Sequence, residues 1–322
     1  MPITSVTKDP EALTMTVVAD FAATPRRLWD AYLDPRLLER FWGPPTYPAV
    51  FTRHDGYVRG RSEYAMTGPD GDVSRGYWEW VAVDELKSFE VRDGFANPDG
   101  TTNEQLPSMR MTFTFEPQPN GSRLSTTTWF NSAEELDQLL GMGMEQGMTE
   151  AMGQMDAILA DLAAFAAGDG TKTQILSDTQ VRISRIVRGD LDAVWRAHQE
   201  PALLRQWLLG PEGWTMPVCE VATAVGQSYR YEWEKVDGDA RFGFTGTLLD
   251  SAAPHRSVTT ESMIGTDGPS TTNVLTLTPV EGGTLVSLLV TYPDTTVRDA
   301  ALATGMTDGM EASYARLESM IG

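Results

Sequence analysis

Cysteine, histidine and lysine are nearly absent from this 322-residue chain, and each scarcity excludes a chemistry. Cys219 is the single cysteine, so no intrachain disulfide can form and a reducing compartment is expected. The three histidines, His54, His198 and His255, are not spaced as His-x-x-x-His, and none has a cysteine pair nearby. A built-in metal site is therefore not expected. Lysine occurs only at Lys8, Lys87, Lys172 and Lys235, and the net charge is −20. An acidic surface argues against nucleic acid, whose phosphates need a basic face, and is repelled by anionic membranes. No apolar run reaches 18 residues, and Met1 to Pro10 lacks an apolar signal core, so a soluble cytoplasmic protein is expected. No P-loop, dinucleotide fingerprint or Ser-His-Asp set appears, and no cofactor is expected.

What the chain does contain is a statement made twice. Leu28-Trp29-Asp30-Ala31-Tyr32-Leu33-Asp34-Pro35, Leu37-Leu38, Phe41-Trp42 and Gly43-Pro44 have a counterpart 166 residues on. It is Val194-Trp195-Arg196-Ala197-His198-Gln199-Glu200-Pro201, Leu203-Leu204, Trp207-Leu208 and Gly210-Pro211. Gly143-Met144-Glu145-Gln146-Gly147-Met148 recurs 162 residues later as Gly305-Met306-Thr307-Asp308-Gly309-Met310. A period of roughly 155 residues is too long for a solenoid repeat and marks two copies of one domain. The domains are read as 1–167 and 175–322, joined by a polar linker at 168–174.

One copy reads as a strand, two short helices, about six strands and a long helix. Leu13–Phe21 alternates as a strand should. Thr24 and Pro25 start a helix as cap and first residue, and Pro35 starts the next. Strands follow at Ala49–His54, Gly60–Thr67, Gly76–Val83, Ser88–Asp93, Met109–Glu116 and Arg123–Phe130, separated by Gly-containing turns. Ser132-Ala-Glu-Glu135 caps a helix expected to run to Ala167, with the apolar stripe Met144, Met148, Met152, Met155, Leu159, Leu162. The second copy repeats the plan, closing with a helix over Thr296–Ile321. Hairpin-linked strands make an antiparallel sheet, and the long helix must bury its stripe against one face. The fold class is α+β: in each copy a curved antiparallel sheet wraps around a long C-terminal helix.

The helix-borne Trp, the Asp/Glu-Pro, the leucine pair and the Trp-x-Gly-Pro-like segment together resemble the opening of START-like (SRPBCC), helix-grip domains. The nearest branch is that of the C-terminal domain of the heat-shock-protein-90 ATPase activator. Gly60-Arg61-Ser62, Gly226-Gln227-Ser228 and the Gly-Met helix fit that branch, in which Gly-Trp commonly stands where Gly147-Met148 and Gly309-Met310 stand here. The resemblance covers nearly the whole chain twice and implies a cavity between helix and sheet. It leaves function open, because the superfamily spans lipid carriers, hormone receptors, cyclases and co-chaperones.

Candidate ligand contacts are the helix methionines Met144, Met148, Met306 and Met310, and the strand aromatics Tyr64, Trp78, Trp80, Trp129, Tyr229, Tyr231 and Trp233. Trp42, Trp207 and Trp214 stand at the expected mouth. Each also reads as plain core. Counted from Gly60 and Gly226, Tyr229 corresponds to Glu63 and Tyr231 to Ala65, so the cavities should differ. Glu63 is the candidate acid or base if it points inward, with a solvated or Arg-paired residue as the alternative. His54 is expected to be exposed and His198 to end its helix. The expected function is binding of a small hydrophobic or aromatic molecule, with one copy holding the working pocket. A cyclase, dehydratase or isomerase and a co-chaperone-like module are the alternatives, and a homodimer is left open.

Overall fold

The computed structural model describes residues 2–161 and 170–322. The chain divides into two compact units, Met1–Phe165 and Ala166–Gly322. The first unit contains β1 (Ile3–Asp9), β2 (Thr14–Phe21), α1 (Pro25–Leu33), α2 (Pro35–Leu38) and β3 (Ala49–His54). It continues through β4 (Arg61–Thr67), β5 (Val73–Asp84), β6 (Ser88–Phe95), β7 (Met109–Gln118) and β8 (Gly121–Trp129) to α3 (Ala133–Gly141) and α4 (Met144–Ala160). Its strands form one antiparallel sheet in the order β1-β2-β8-β7-β6-β5-β4-β3.

The second unit repeats this with β9 (Lys172–Ile175), β10 (Gln180–Val187), α5 (Leu191–Gln199), α6 (Pro201–Trp207), β11 (Trp214–Glu220) and β12 (Ser228–Lys235). After them come β13 (Arg241–Ala252), β14 (Arg256–Met263), β15 (Thr271–Val280), β16 (Gly283–Thr291), α7 (Thr295–Ala303) and α8 (Met306–Ile321). Its sheet order, β11-β12-β13-β14-β15-β16-β10-β9, is that of the first unit read from the other edge.

The caps form as their residue types require. Thr24 accepts from the Arg27 amide with Pro25 at the first helical position. Ser132 accepts from the Glu135 amide at 3.2 Å, and the Glu135 carboxylate accepts from the Asn131 amide at 3.1 Å.

Two expectations are corrected. The segment expected as a linker contains β9, whose residues from Lys172 to Ile175 pair with Ser184 to Val181; residues 168 and 169 lie outside the described set. Neither β9 nor β1 shows an apolar alternation, because both are edge strands with mostly exposed side chains. The long helix is two helices. Gly143, at φ 87°, and Gly305, at φ 78°, take the left-handed conformation and break it at the same place in each copy. Residues 162–167 of the expected helix, including Leu162 of its stripe, lie outside the described residues.

The first unit packs one continuous core. Trp29, Tyr32, Phe41, Trp78, Trp80, Phe89, Phe113 and Phe115 are all at most 3% exposed and belong to a single cluster. The buried core of the second unit is broken into three clusters, built around Val286 and Leu317, Ile183 and Val290, and Tyr229 and Leu248. A single domain normally has one contiguous core, so this division marks interior space or interior polarity.

Candidate ligand cavity

Register identifies the residues that occupy corresponding places in the two interiors. In the first unit Phe89 pairs with Phe113, Val91 with Met111, and Asp93 with Met109. Counted from the same strand starts in the second unit, Ser257 pairs with Leu275, Thr259 with Asn273, and Glu261 with Thr271. Phe89, Val91, Met109, Met111 and Phe113 are sealed at 5% exposure or less. Ser257, Thr259, Glu261, Thr271 and Leu275 all stay partly exposed, as does Leu288 opposite Leu275 on β16. Large apolar side chains have been replaced by small or polar ones on two adjacent strands, β14 and β15. The helices are also buried less: α3 and α4 bury two and five residues, whereas α8 buries Ser313, Tyr314 and Leu317 and α7 buries none. Of the two interiors, that of the second unit is the less completely sealed.

Its polar end is built from three strands. The Tyr229 hydroxyl shares its proton between the Thr260 carbonyl, 3.0 Å away, and Glu261 Oε2 at 3.1 Å. Thr271 Oγ1 donates to Asn273 Oδ1 at 3.0 Å, leaving the Asn273 amide to hydrogen-bond the Glu261 carboxyl. Burial pushes that carboxyl above its ordinary value, against the opposing pull of Tyr229 and Asn273. Tyr229, Tyr231 and Trp233 lie along one face of β12 with ring centroids 4.9 and 6.2 Å apart. Tyr231 and Met306 and Met310 of α7–α8 remain partly exposed, and Met310 adjoins two of the three core clusters. Tyr292 is buried and donates to the Met306 sulfur at 3.5 Å. Beneath α8, Arg185 from β10 pairs with Glu311 and, at 3.0 Å, with Glu318 Oε2. The guanidinium stands where the first unit has Ala19.

The first unit keeps a carboxyl at the corresponding place but little space around it. Tyr64 donates to Asp93 Oδ1 at 3.3 Å. Burial pushes Asp93 up to about 7, although the Tyr64 hydroxyl, the Trp78 indole and the Gly94 amide favour its charged form. The rings of Trp42 and Trp78 stand perpendicular with centroids 4.5 Å apart, and Trp42 reaches Tyr64 at 6.0 Å. Trp42, Tyr64 and Asp93 are partly exposed, and so are Met144 and Met148 on α4, whereas Trp78 is sealed.

The sequence candidates therefore separate. Tyr64, Trp42 and Trp78 come together around Asp93, and Tyr229 and Tyr231 near Glu261. Trp233 is buried farther along β12, donating to the Leu208 carbonyl at 2.7 Å and stacking on Phe242. Trp80 lies apart, donating to Ser62 Oγ at 2.9 Å. Trp207 is sealed in the core, donating to the Ala197 carbonyl at 2.9 Å and stacking on Tyr314. Trp214 packs edge-on against Phe242 at 5.1 Å. Trp129 is on the outer face of its sheet, under the Arg110 guanidinium at 4.1 Å, in a shallow groove of about 290 Å³ with Glu90 and Arg92.

Glu63 also faces outward. Its neighbour Ser62 takes the inward place, fully buried, and Glu63 pairs with Arg61 at 2.8 Å and Arg53 at 4.0 Å. Its carboxylate is held on the surface and touches no interior group. His54 is buried, not exposed: Ser62 donates to Nδ1 at 3.0 Å, and Nε2–H donates to the Tyr32 carbonyl at 3.0 Å. His198 returns a bond to the Val194 carbonyl at 2.8 Å within its own helix, and burial holds its pKa down near 4. The count that aligned Tyr229 with Glu63 is off by one residue, because Tyr229 pairs with Gly246 as Ser62 pairs with Trp78. Sequence reading missed Asp93 and Glu261. Asp93 was legible in the alternation Phe89-Val91-Asp93; Ser257-Thr259-Glu261 has no apolar residue to mark its inward face.

Among the described residues no group of three His, Cys, Asp or Glu side chains could hold a metal ion, and no helix is long and apolar enough to cross a membrane. A comparison with curated proteins returned no match. Among solved structures, the chain is similar to protein Ms6760 from Mycobacterium smegmatis. The two are 45% identical over 50% of this chain and 98% of that one, with a TM-score of 0.47. A protein from Arthrobacter aurescens is 42% identical over 49% and 92% of the respective chains, with a TM-score of 0.48. One from Rhodobacter sphaeroides is 33% identical over 47% and 97%, at 0.44. The model of the family described as activator of Hsp90 ATPase homolog 1-like protein matches residues 22–160 and again 189–322. The chain thus belongs to the activator of Hsp90 ATPase homolog 1-like family, with the family's START-like domain present twice.

Proposed function

We propose that the second unit binds a small apolar or aromatic molecule between α7–α8 and its sheet, with the ligand's polar group against Glu261. The observation that carries this reading is the replacement of Phe89, Val91 and Phe113 by Ser257, Thr259 and Leu275, which leaves an inward face partly exposed. Concave apolar space with a few convergent polar groups is the ordinary form of a small-molecule site. Met306 and Met310 supply a polarisable surface that fits irregular apolar bodies. The first unit has the same frame filled with aromatic side chains and acts as its support.

Titration with the neutral fluorophore N-phenyl-1-naphthylamine tests the reading. Saturable binding at one site per chain is expected, with loss of that site in the double variant Ser257→Phe, Leu275→Phe. Unsaturable binding, or binding that the filled variant retains, would sink it.

A catalytic reading is favoured by one observation: Glu261, raised by burial, accepts from the Tyr229 hydroxyl inside the cavity. A carboxyl tuned toward neutrality can move a proton to or from a bound ligand, as a cofactor-independent cyclase, dehydratase or isomerase requires. Turnover of a bound ligand lost in Glu261→Gln, with affinity kept, would support it. Full turnover in that variant would remove the assignment.

A further inference from the structure

We propose that the cavity of the second unit selects a protonated amine: the ligand carries an organic cation on its apolar body, and Glu261 receives the charge. This deepens the cavity reading above and rests on it.

Four observations converge on a cation. Glu261 stands on the inward face of β14, and Arg185, on the inward face of β10, is already committed to Glu311 and Glu318. Among the described residues no cation pairs with Glu261, and a carboxyl that burial disfavours as an anion gains from a cationic partner. The side chains beside it are aromatic: Tyr229 touches Glu261 directly, and the Tyr231 ring centroid lies 4.9 Å from that of Tyr229. Aromatic faces carry negative charge density and attract an ammonium group, an attraction that strengthens as water is excluded. The same pairing recurs in the first unit, where Asp93 accepts from Tyr64 beside Trp42 and Trp78. Two copies that diverged at Ser257, Thr259 and Gly246 have both kept a carboxyl at that register position, flanked by rings. Finally, a chain of net charge −20 draws cations toward itself and repels anions at the encounter stage.

A matched trio of ligands separates the alternatives. 4-Phenylbutylamine, 4-phenylbutan-1-ol and 4-phenylbutanoate share one apolar body and differ in charge. Each would be competed against N-phenyl-1-naphthylamine on the full chain at pH 7, in low salt and again in 0.5 M sodium chloride. The amine is expected to displace the probe at about tenfold lower concentration than the alcohol, with the carboxylate weakest. The preference should persist in high salt and shrink to about threefold or less in Glu261→Gln. An alcohol that competes as well as the amine would overturn charge selection while leaving the cavity intact. A preference that survives in folded Glu261→Gln, or vanishes in salt, would assign the effect to the net charge and overturn the role of Glu261. Absence of any saturable probe binding would instead remove the cavity reading itself. Should Glu261→Gln fail to fold, the order of the three ligands on the unaltered protein still decides.

Discussion

Tyr229 packs against Gly246, its partner across β12 and β13. A Cβ at Gly246 would stand 2.7 Å from Tyr229 Cε1 and 1.8 Å from the Thr260 carbonyl oxygen. The first unit solves the same position in reverse, with Trp78 on β5 filling the space and the small Ser62 opposite it on β4. Bulk has moved from one strand to its neighbour: the Trp78 indole beside Asp93 gives way to the Tyr229 hydroxyl beside Glu261.

Gly246→Ala should therefore destabilise the second unit by about 3 kcal/mol or more, at the upper end of what one added methyl costs in a packed interior. Urea denaturation followed by circular dichroism measures it. Combining it with Tyr229→Ala should restore little, because the Thr260 carbonyl remains in the way. Near-complete recovery would mean that the ring alone imposes the glycine.

Asp93 makes the stability of the first unit depend on pH in a defined direction. Its carboxyl titrates near 7 when folded, against 3.8 for an unperturbed aspartate. Between those values the folded state keeps a proton that the unfolded chain has released, so stability falls as pH rises from about 4 to about 7 and is level above. A displacement of that size has a ceiling of about 4 kcal/mol, and the residue's partial contact with solvent brings the expectation to about 1–3 kcal/mol. Asp93→Asn should be the more stable protein at pH 8.5 by that amount, and close to equal at pH 4. Denaturation midpoints at the two pH values check it, and equal differences at both would refute it.

Arg185 clamps α8 to β10 through Glu311 and Glu318, and Glu311 also accepts from the Thr171 amide and hydroxyl at 2.6 and 2.8 Å. Arg185→Met leaves two carboxylates facing a sheet. Breaking a fully buried pair costs about 3–5 kcal/mol. Because the Glu311 side chain is 41% exposed, about 1–2 kcal/mol is expected here. Burial raises the Glu311 carboxyl, but Arg185 and Thr171 together lower it further, to a net value below the usual range. Its share of stability is thus present at neutral pH and lost as pH drops through that lowered pKa. The variant should lose less than the parent on acidification, which thermal melts at pH 7 and pH 3.5 would show.

The architecture was legible because duplication prints the same signals twice: Thr24-Pro25 against Asp190, Asp34-Pro35 against Glu200-Pro201, and Gly143 against Gly305. The edge strands β1 and β9 were not, since an edge strand with mostly exposed residues has no buried face to enforce alternation. Strand alternation allows Glu63 an inward place, yet a register displaced by one residue reverses every side chain on a strand, and Ser62 holds that place. The contrast between the two interiors was illegible in one copy alone. Ser257 and Thr259 look like ordinary surface strand residues until pairing with Leu275 and Asn273 sets them opposite Phe89 and Val91 of the other copy.

That comparison can be run backwards on the filled unit. Phe89 is the centre of its core: it stacks on Phe113 at 4.5 Å and meets Trp80 at 4.8 Å, Tyr32 at 5.7 Å and Trp29 at 5.9 Å. If aromatic bulk is what closes this unit, Phe89→Ala should cost about 3–5 kcal/mol, the range for removing a fully buried ring whose surroundings cannot collapse. The cavity so made is apolar and adjoins Asp93's neighbour Val91, so it should stay dry and accept an apolar guest. N-Phenyl-1-naphthylamine would then bind at a second site per chain, absent from the parent and additive with the site in the second unit. A loss of stability below about 1 kcal/mol would mean that the first unit is already loosely packed. In that case the contrast between the two interiors, and the assignment of the pocket to the second, would fail together.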